Sequence, residues 1–540
     1  MPPSKTDRFM PCECQSVTGA PRIKGPTGRM GQMDIAARRP YLAVQGRHAD
    51  WQALSGKLDG QMEDGFIYKN GSGGVYIVDK SSHFSMKTAM RSAVLMALGG
   101  GLVFGGCARK HVPEFVKTPE IRAQLISFAA AKERQARSLA SAEGKELPPK
   151  AEKLFSAIEN AHWEEATNDY AELRRRMTTD SALYGSWWNP VLETFAAAEQ
   201  FTLGDDKYAA AYGNDIIQSI PPGSIYFGGT DPGRFIVTAM EKSQIDGDPF
   251  FGLTQNALED GSYLDYLRSM YGNRIYIPTA ADLQKCFDDY YRDYQERRAK
   301  NELLPGEDAT NGPDGKWRVN SYMSVIQVKE RVAKVVFEKN TNREFYVEES
   351  FPFEWMYPDL EPHGLIFKMN HQPLTALSEE AVRRDQEYWT KTVSPMIGDW
   401  LNEDTPAQEI QAFAEKVFLR HDFNGFRGDP AFVENPYAHR KFSKDRSSIA
   451  GLYAWRAEHT PDAEEKARMS RAADFAFRQA WALCPDSLEA VFRYVAFLME
   501  ENRTSDALIV AETAAAFRSE PSAPSLDQLV QQLKQRLGTQ

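Results

Sequence analysis

The chain has 540 residues, enough for two or three domains of about 100–200 residues each. Hydrophobic residues make up 42% and charged residues 26% of the sequence, a balance typical of globular proteins. Residues 1–106 carry a net charge of +5 and the remainder a net charge of −16. The acidic main part excludes a nucleic-acid partner, which would require a basic face, and no run approaches the ~18 uninterrupted apolar residues of a membrane-spanning helix.

An export signal is predicted between Met86 and Cys107. The positive start Met86–Arg91 is followed by the apolar segment Ser92–Phe104 and then by Gly-Gly-Cys, which is the three-part plan of a secretory signal. The segment resembles the signal of bacterial lipoproteins, in which the cysteine becomes the lipid-modified first residue. That resemblance implies acylation of Cys107 and, because Ala108 follows it, an outer-membrane lipoprotein that faces the periplasm. The alternative is a buried helix rich in Ala and Gly.

Residues 1–85 lack a sustained apolar period and are rich in Gly, Pro, Arg, Ser and Gln. We expect either that translation begins at Met86 and that these residues are a misassigned start, or that they form a disordered leader. The sequence therefore divides into the following predicted segments: 1–85 leader or misassigned start, 86–107 lipoprotein signal, 108–118 tether, 119–204 helical hairpins, 205–375 α/β domain, 376–450 helical connector, and 451–540 tetratricopeptide-like repeats.

Three amphipathic helices are predicted after the tether, at Pro119–Ser141, Lys150–Asn160 and Trp163–Met177, where apolar residues recur at helical spacing. Such paired helices are typical of helical hairpins.

Strands and helices alternate in the middle of the chain. The predicted strands are Ser224–Phe227, Pro249–Thr254, Arg274–Ile277, Glu344–Glu349 and Leu365–Met369. Helices are predicted between the first strands, and Thr279 with Asp282 forms a capping box at the start of a long helix. Alternation of this kind favours a largely parallel sheet covered by helices. The predicted fold class is therefore α/β plus α, a central and largely parallel sheet domain flanked by helical hairpins.

The C-terminal helices carry small residues at the spacing of tetratricopeptide repeats. Ala473, Phe477, Ala480 and Pro485 match the second half of one repeat, and the interval from Pro485 to Pro521 is 36 residues, close to the usual ~34. Small residues let two helices approach closely. A generic helical hairpin is the alternative.

The best candidate for a ligand site is the loop that joins the first predicted strand to its helix. Ligands of open α/β sheets bind outside the carboxyl ends of the strands, where glycines admit a ligand and a helix N-terminus attracts an anion. Asp231 is predicted to cap that helix. The next strand ends at polar residues that would share this edge. The candidate ligand-binding residues are Gly228, Gly229, Thr230, Asp231, Arg234, Gln255 and Asn256. The alternative is local architecture, a cap and a turn.

Other constellations are less informative. The sequence has no GxSxG, HExxH, Walker A or GxGxxG motif, so an enzymatic role is not favoured and no catalytic residue is assigned. No acidic or cysteine partner completes a metal site with His363 and His371, and the side chains of His421 and Asp422 need not face one another because the two residues are adjacent. Neither a metal site nor a cofactor is therefore predicted. Cys286 and Cys484 are expected to be buried in helices. The aromatic run Phe351–Tyr357 could stack on a sugar or fill the core.

Several segments resemble a bacterial family. Residues 225–232, Tyr263–Tyr271 and Tyr346–Leu365, the last with Glu349, are similar to the soluble C-terminal portion of a membrane family classed as protein O-mannosyltransferase-like, whose members often end in tetratricopeptide repeats. The family's membrane helices are absent from this sequence, so its activity is not carried over. The resemblance implies a soluble module that works beside envelope glycan or protein assembly.

Two functions are compatible with these features. The first is a membrane-anchored, non-catalytic interaction or scaffold lipoprotein whose helical repeats bind an envelope protein partner. The second is a ligand-binding or glycan-related enzymatic α/β domain that takes a glycan or small molecule at residues 228–234 and 254–256. The first would be favoured if the candidate side chains scatter, and the second if they converge on an open pocket.

Overall fold

The fold is given by a computed structural model. It describes residues 115–180, 183–241, 249–304, 307, 309–311, 317–319, 322–517 and 524–538, together with two strands at 65–69 and 75–79. The predicted export signal and Cys107 lie outside the described residues.

A hairpin occurs within the predicted leader. Strands β1 (Gly65–Lys69) and β2 (Val75–Asp79) pair antiparallel. Each strand has a short run of aromatic and β-branched residues, and the intervening Asn-Gly-Ser-Gly-Gly is a turn composition. The rest of residues 1–85 lies outside the described residues, so a disordered leader and a misassigned start both stay predictions.

Five helices follow in the N-terminal part. They are α1 (Pro119–Ala142), α2 (Pro149–Glu159), α3 (Trp163–Thr179), α4 (Trp188–Leu203) and α5 (Asp206–Ser219). The first three confirm the predicted helices to within two residues at each end. The last residues of the predicted tether are not free, because Phe115 and Val116 are buried and the backbone N–H of Thr118 donates to the Asp206 carboxylate at 2.6 Å.

A five-stranded sheet lies in the centre, in the order β4-β3-β7-β9-β8. Its strands are β3 (Ile225–Gly228), β4 (Phe251–Thr254), β7 (Phe345–Glu348), β8 (Leu360–His363) and β9 (Ile366–Met369). Strand β3 pairs in parallel with both β4 and β7, whereas β9 is antiparallel to β7 and to β8. The sheet is therefore mixed, and the prediction of a largely parallel sheet holds for three strands only. Strands β5 (Ala309–Asn311) and β6 (Trp317–Val319) form a separate hairpin.

Between the strands, a π-helical turn at Pro232–Ile236 leads into α6 (Val237–Met240), and the longer helices are α7 (Gly261–Tyr271), α8 (Ala280–Lys300) and α9 (Tyr322–Lys339). The capping box of Thr279 and Asp282 is confirmed at the start of α8.

The prediction of a strand at Arg274–Ile277 is wrong. The side chain of Asn340 binds this segment instead of a neighbouring strand: its oxygen accepts from the N–H of Tyr276 at 2.7 Å, and its amide nitrogen donates to the Tyr276 carbonyl at 3.1 Å. A side chain thus satisfies the backbone groups for which a sheet was expected.

The C-terminal part is helical, in α10 (Glu379–Ile397), α11 (Ala407–Phe413) with a π-helical turn at Ala414–Leu419, α12 (Pro430–Glu434), α13 (Pro436–His459), α14 (Ala463–Leu483), α15 (Leu488–Glu500), α16 (Thr504–Ala516) and α17 (Pro524–Gly538). Consecutive helices from α13 to α17 pack on one another. The predicted small positions Ala473 and Ala480 are fully buried, as are Ala507 and Ala511 of α16. Pro521 lies outside the described residues.

Helix α13 is buried on most of its circumference because it also packs against α15 and β9. Its Arg446 forms a fully buried ion pair with Asp385 of α10 at 2.7 Å, and the same guanidinium donates to Gln479 of α14 at 2.8 Å. One charged side chain therefore joins three helices. None of the helices in the described ranges has the length and apolar character needed to cross a membrane.

Candidate functional site

The loop after β3 encloses a carboxylate of the protein itself. Strand β3 is central and buried, and its chain leaves the sheet at Gly228. The backbone N–H groups of Gly229 and Thr230 donate to Oε2 of Glu348 at 3.2 and 3.0 Å, and the Thr230 hydroxyl donates to Oε1. The donors that were expected to receive an external anion are thus directed at the last residue of the neighbouring strand β7.

The glycines of this loop make room for two glutamates. A Cβ atom on Gly233 would lie 1.7 Å from Oε2 of Glu348, and one on Gly229 would lie 1.9 Å from Oε2 of Glu349. Both glycines are therefore required by side chains within the chain. The two glutamates are more than a hundred residues away from the loop in the chain, so the sequence of the loop could not show what occupies it.

Asp231 and Arg234 form an ion pair but differ in burial. Asp231 has helical backbone angles and no capping hydrogen bond, so the prediction that it caps the helix is wrong. The cap is Thr230, whose hydroxyl accepts from the N–H of Gly233 at 3.3 Å. The Asp231 side chain is 66% exposed, 3.6 Å from the guanidinium of Arg234. Arg234 is buried, with its guanidinium over the ring of Phe235.

Gln255 and Asn256 do reach the same edge as the glycine loop. They lie in a single 3-10 turn directly after β4. Their amide nitrogens donate to Oε2 of Glu349 at 3.3 and 3.4 Å, and Asn256 also donates to the Gly229 carbonyl at 2.8 Å. The loop, the turn after β4 and the end of β7 thus form one polar cluster, which we call the strand-end cluster.

Helices α13 and α15 add acidic residues that were not predicted. Asp445 and Glu489 are buried, and both interact electrostatically with the glutamates at the end of β7. Burial raises the pKa of Glu348 and the pKa of Glu349, the latter to about 8 with a further contribution from Glu348. Burial also raises the pKa of Asp445 well above its ordinary value. The sequence pattern that could have located this acidic cluster is the adjacent pair of Glu348 and Glu349 at the end of a predicted strand.

The same two helices cover this edge of the sheet. The Ser448 hydroxyl of α13 donates to the Glu349 carbonyl at 2.7 Å. Arg493 of α15 donates to the Ser350 carbonyl, and its guanidinium lies 3.7 Å from the centre of the Phe351 ring. The C-terminal helices thus close the strand ends by direct hydrogen bonds.

The histidines and the aromatic run that the sequence analysis singled out make contacts with the protein's own backbone and rings. Nε2 of His363 lies 2.8 Å from the Ser219 carbonyl, and His371 stacks on Phe337 with ring centres 4.9 Å apart. The aromatic run forms a 3-10 helix, Glu354–Asp359, that precedes β8, a strand the sequence did not predict.

A second cluster was missed entirely. His439, Cys484 and Asp486 each present one possible ligand atom, and these atoms lie within 4.8 Å of one another. Nδ1 of His439 is 2.9 Å from Sγ of Cys484, and that thiol donates to Oδ1 of Asp486 at 3.1 Å. Cys484 is buried as expected, but it follows α14 and does not lie within a helix, whereas Cys286 is a buried helical residue.

No protein-family model matches the chain, and no match to it is found among curated proteins or solved structures.

Proposed function

We propose that this chain is a lipid-anchored envelope protein whose described residues act as a non-catalytic interaction module. The observation that supports this function is the closure of the strand ends. The glycine loop encloses Glu348, and side chains of α13 and α15 bind the backbone around Glu349. A ligand at this edge would have to displace groups that belong to the protein.

The partner surface that we propose lies between α10 and α14. A surface depression of about 170 Å³ is lined there by charged and amide side chains. Arg383, Arg468 and Arg471 stand beside Glu379 and Glu403. Charges of both signs on one surface favour a polar protein partner with a complementary pattern, because such patterns confer specificity and speed association.

The anchor and the envelope location follow from the predicted lipoprotein signal. Attachment would be through acyl chains on Cys107, and more than one chain is needed for stable anchoring. The acidic main part would then face the periplasm from the outer membrane, and the C-terminal helices would act as tetratricopeptide-like repeats in a protein assembly.

Two measurements test this function. Labelling cells with a fatty-acid probe should mark the wild-type protein and not the Cys107→Ala variant, which should also leave the membrane fraction. For the interaction, native purification of Arg383→Glu/Arg471→Glu should lose a stoichiometric partner that copurifies with wild type. A matched double substitution on another helix, Lys285→Glu/Arg292→Glu, should retain it. An unlabelled wild-type protein, or a partner lost only when the strand-end cluster is altered, would contradict the proposal.

A second candidate function is supported by unpaired oxygens at the strand-end cluster. Within the described residues, Oε1 of Gln255, Oγ of Ser350 and Oδ2 of Asp445 are buried without a hydrogen-bond partner. Buried polar atoms normally have partners. Acceptors of this kind suit a ligand rich in O–H or N–H donors, such as a sugar or an amine.

Calorimetric titration with mannose and with glucosamine tests this second function. Saturable binding that Gln255→Ala removes would favour it over the interaction module. Absence of binding by the wild-type protein would leave the interaction module as the function to pursue.

A further inference from the structure

We propose that His439, Cys484 and Asp486 form a binding site for a divalent transition metal of the Zn²⁺ class. An imidazole nitrogen, a thiolate sulfur and a carboxylate oxygen are the ligand types that Zn²⁺ takes in proteins. Here all three occur together, with the ligand atoms within 4.8 Å of one another. This inference concerns residues that do not belong to the strand-end cluster and does not depend on the proposed function.

The backbone holds the three residues in place. His439 lies in the first turn of α13. Cys484 and Asp486 lie in the short turn between α14 and α15, where the N–H of Cys484 donates to the Ala480 carbonyl and the N–H of Ser487 donates to the Cys484 carbonyl. The ligands thus come from two rigid positions, a helix start and a hydrogen-bonded turn, as a preorganised metal site requires.

The distances suit a site that opens slightly on binding. A tetrahedral Zn²⁺ with bonds of ~2.0 and ~2.3 Å would separate sulfur from nitrogen or oxygen by roughly 3.6 Å. In the structure, sulfur is 2.9 Å from the imidazole nitrogen and 3.1 Å from the carboxylate oxygen. The donors need to move apart by about half an ångström, which side-chain rotation can supply.

Metal binding would replace the thiol proton. That proton now bridges sulfur and the Asp486 carboxylate. On binding, a metal–sulfur bond forms, the S–H bond breaks and the proton passes to solvent, with no change in oxidation state.

The neighbouring Arg440 leaves one carboxylate oxygen for the metal. Its guanidinium binds Oδ2 of Asp486 at 3.2 Å, whereas Oδ1 faces the thiol. A hydrogen bond of this kind orients a metal-binding carboxylate, as outer partners do in known sites. His439 and Cys484 are buried, but the Asp486 side chain is 29% exposed. A metal would approach from that side, and its fourth position would be open to water.

The probe is Co²⁺ added to the purified full-length chain. All proteins in the experiment carry serine at Cys12, Cys14 and Cys107, so that only Cys286 and Cys484 remain as thiols. The expected result is one Co²⁺ bound per chain, with a thiolate-to-cobalt charge-transfer band that equimolar Zn²⁺ removes.

Cys484→Ser should abolish the charge-transfer band, and Cys286→Ser, the matched control at the other thiol, should retain it. Asp486→Asn alters a partly exposed side chain, so it should fold, and it should weaken Co²⁺ binding at least tenfold. Zn²⁺ should raise the melting temperature of the parent protein and not that of Asp486→Asn. The inference is overturned if the parent binds no Co²⁺ at micromolar concentrations, or if the band survives in Cys484→Ser or disappears in Cys286→Ser.

Discussion

The buried carboxylate of Glu348 holds the loop after β3, and we expect Glu348→Ala to destabilise the protein severely. The substitution removes the acceptor for the N–H and the hydroxyl of Thr230, whereas the N–H of Gly229 keeps the backbone carbonyl of residue 348 as an acceptor at 2.7 Å. Because Gly229 and Thr230 are buried, water cannot readily replace the lost acceptor.

The magnitude follows from the number of orphaned donors. Each buried donor that loses its partner costs about 1–3 kcal/mol, so the N–H and the hydroxyl of Thr230 together cost about 2–6 kcal/mol. Removal of a carboxylate whose pKa is raised by burial offsets part of this cost, since that desolvation is no longer required. The net expectation is a loss of about 3 kcal/mol in the free energy of unfolding.

Urea unfolding measures this loss, with Glu344→Ala as the matched control. Glu344 lies just before the same strand, and its carboxylate is 50% exposed and paired with Lys368 at 2.9 Å, so its removal should cost about 1 kcal/mol or less. Equal stability of the two variants would refute the reasoning.

Three further predictions concern the same core. Glu349 has a pKa of about 8 in the fold, above its ordinary value of 4.5, so its neutral form is favoured there. Relative to Glu349→Gln, wild type should lose unfolding free energy as pH rises from about 4.5 to about 8, and urea titrations that show no such difference would contradict this. Gly233→Ala would place a methyl group against a buried carboxylate and should lower the melting temperature sharply, whereas Gly261→Ala, with open space around it, should leave it nearly unchanged. Arg446→Met leaves the buried Asp385 without its ion-pair partner and should lower the free energy of unfolding in urea by about 3–5 kcal/mol. A loss below about 1 kcal/mol would mean that the ion pair is not formed.

Local patterns were sufficient for most helices and for the parallel strands. The helix at Pro119–Ala142 and the capping box of Thr279 depend on apolar spacing and on residues three apart, so the sequence alone determines them. The same holds for the strand that ends at Gly228 and for the polar turn at Gln255 and Asn256. Neighbours in sequence decide these features.

Features that depend on distant residues could not be read from the sequence. The segment Arg274–Ile277 has strand composition, but Asn340 binds its backbone. Strand β8 exists because β9 pairs with it antiparallel, which no local pattern indicates.

The candidate sites depended most on tertiary structure. The sequence located the glycine loop, but Glu348, more than a hundred positions away in the chain, occupies it. Likewise, His439 and Cys484 are 45 residues apart, and only the packing of α13 against α14 brings them together. A loop's conformation follows from its own residues, whereas its occupant is selected by the side chains that the rest of the fold places beside it.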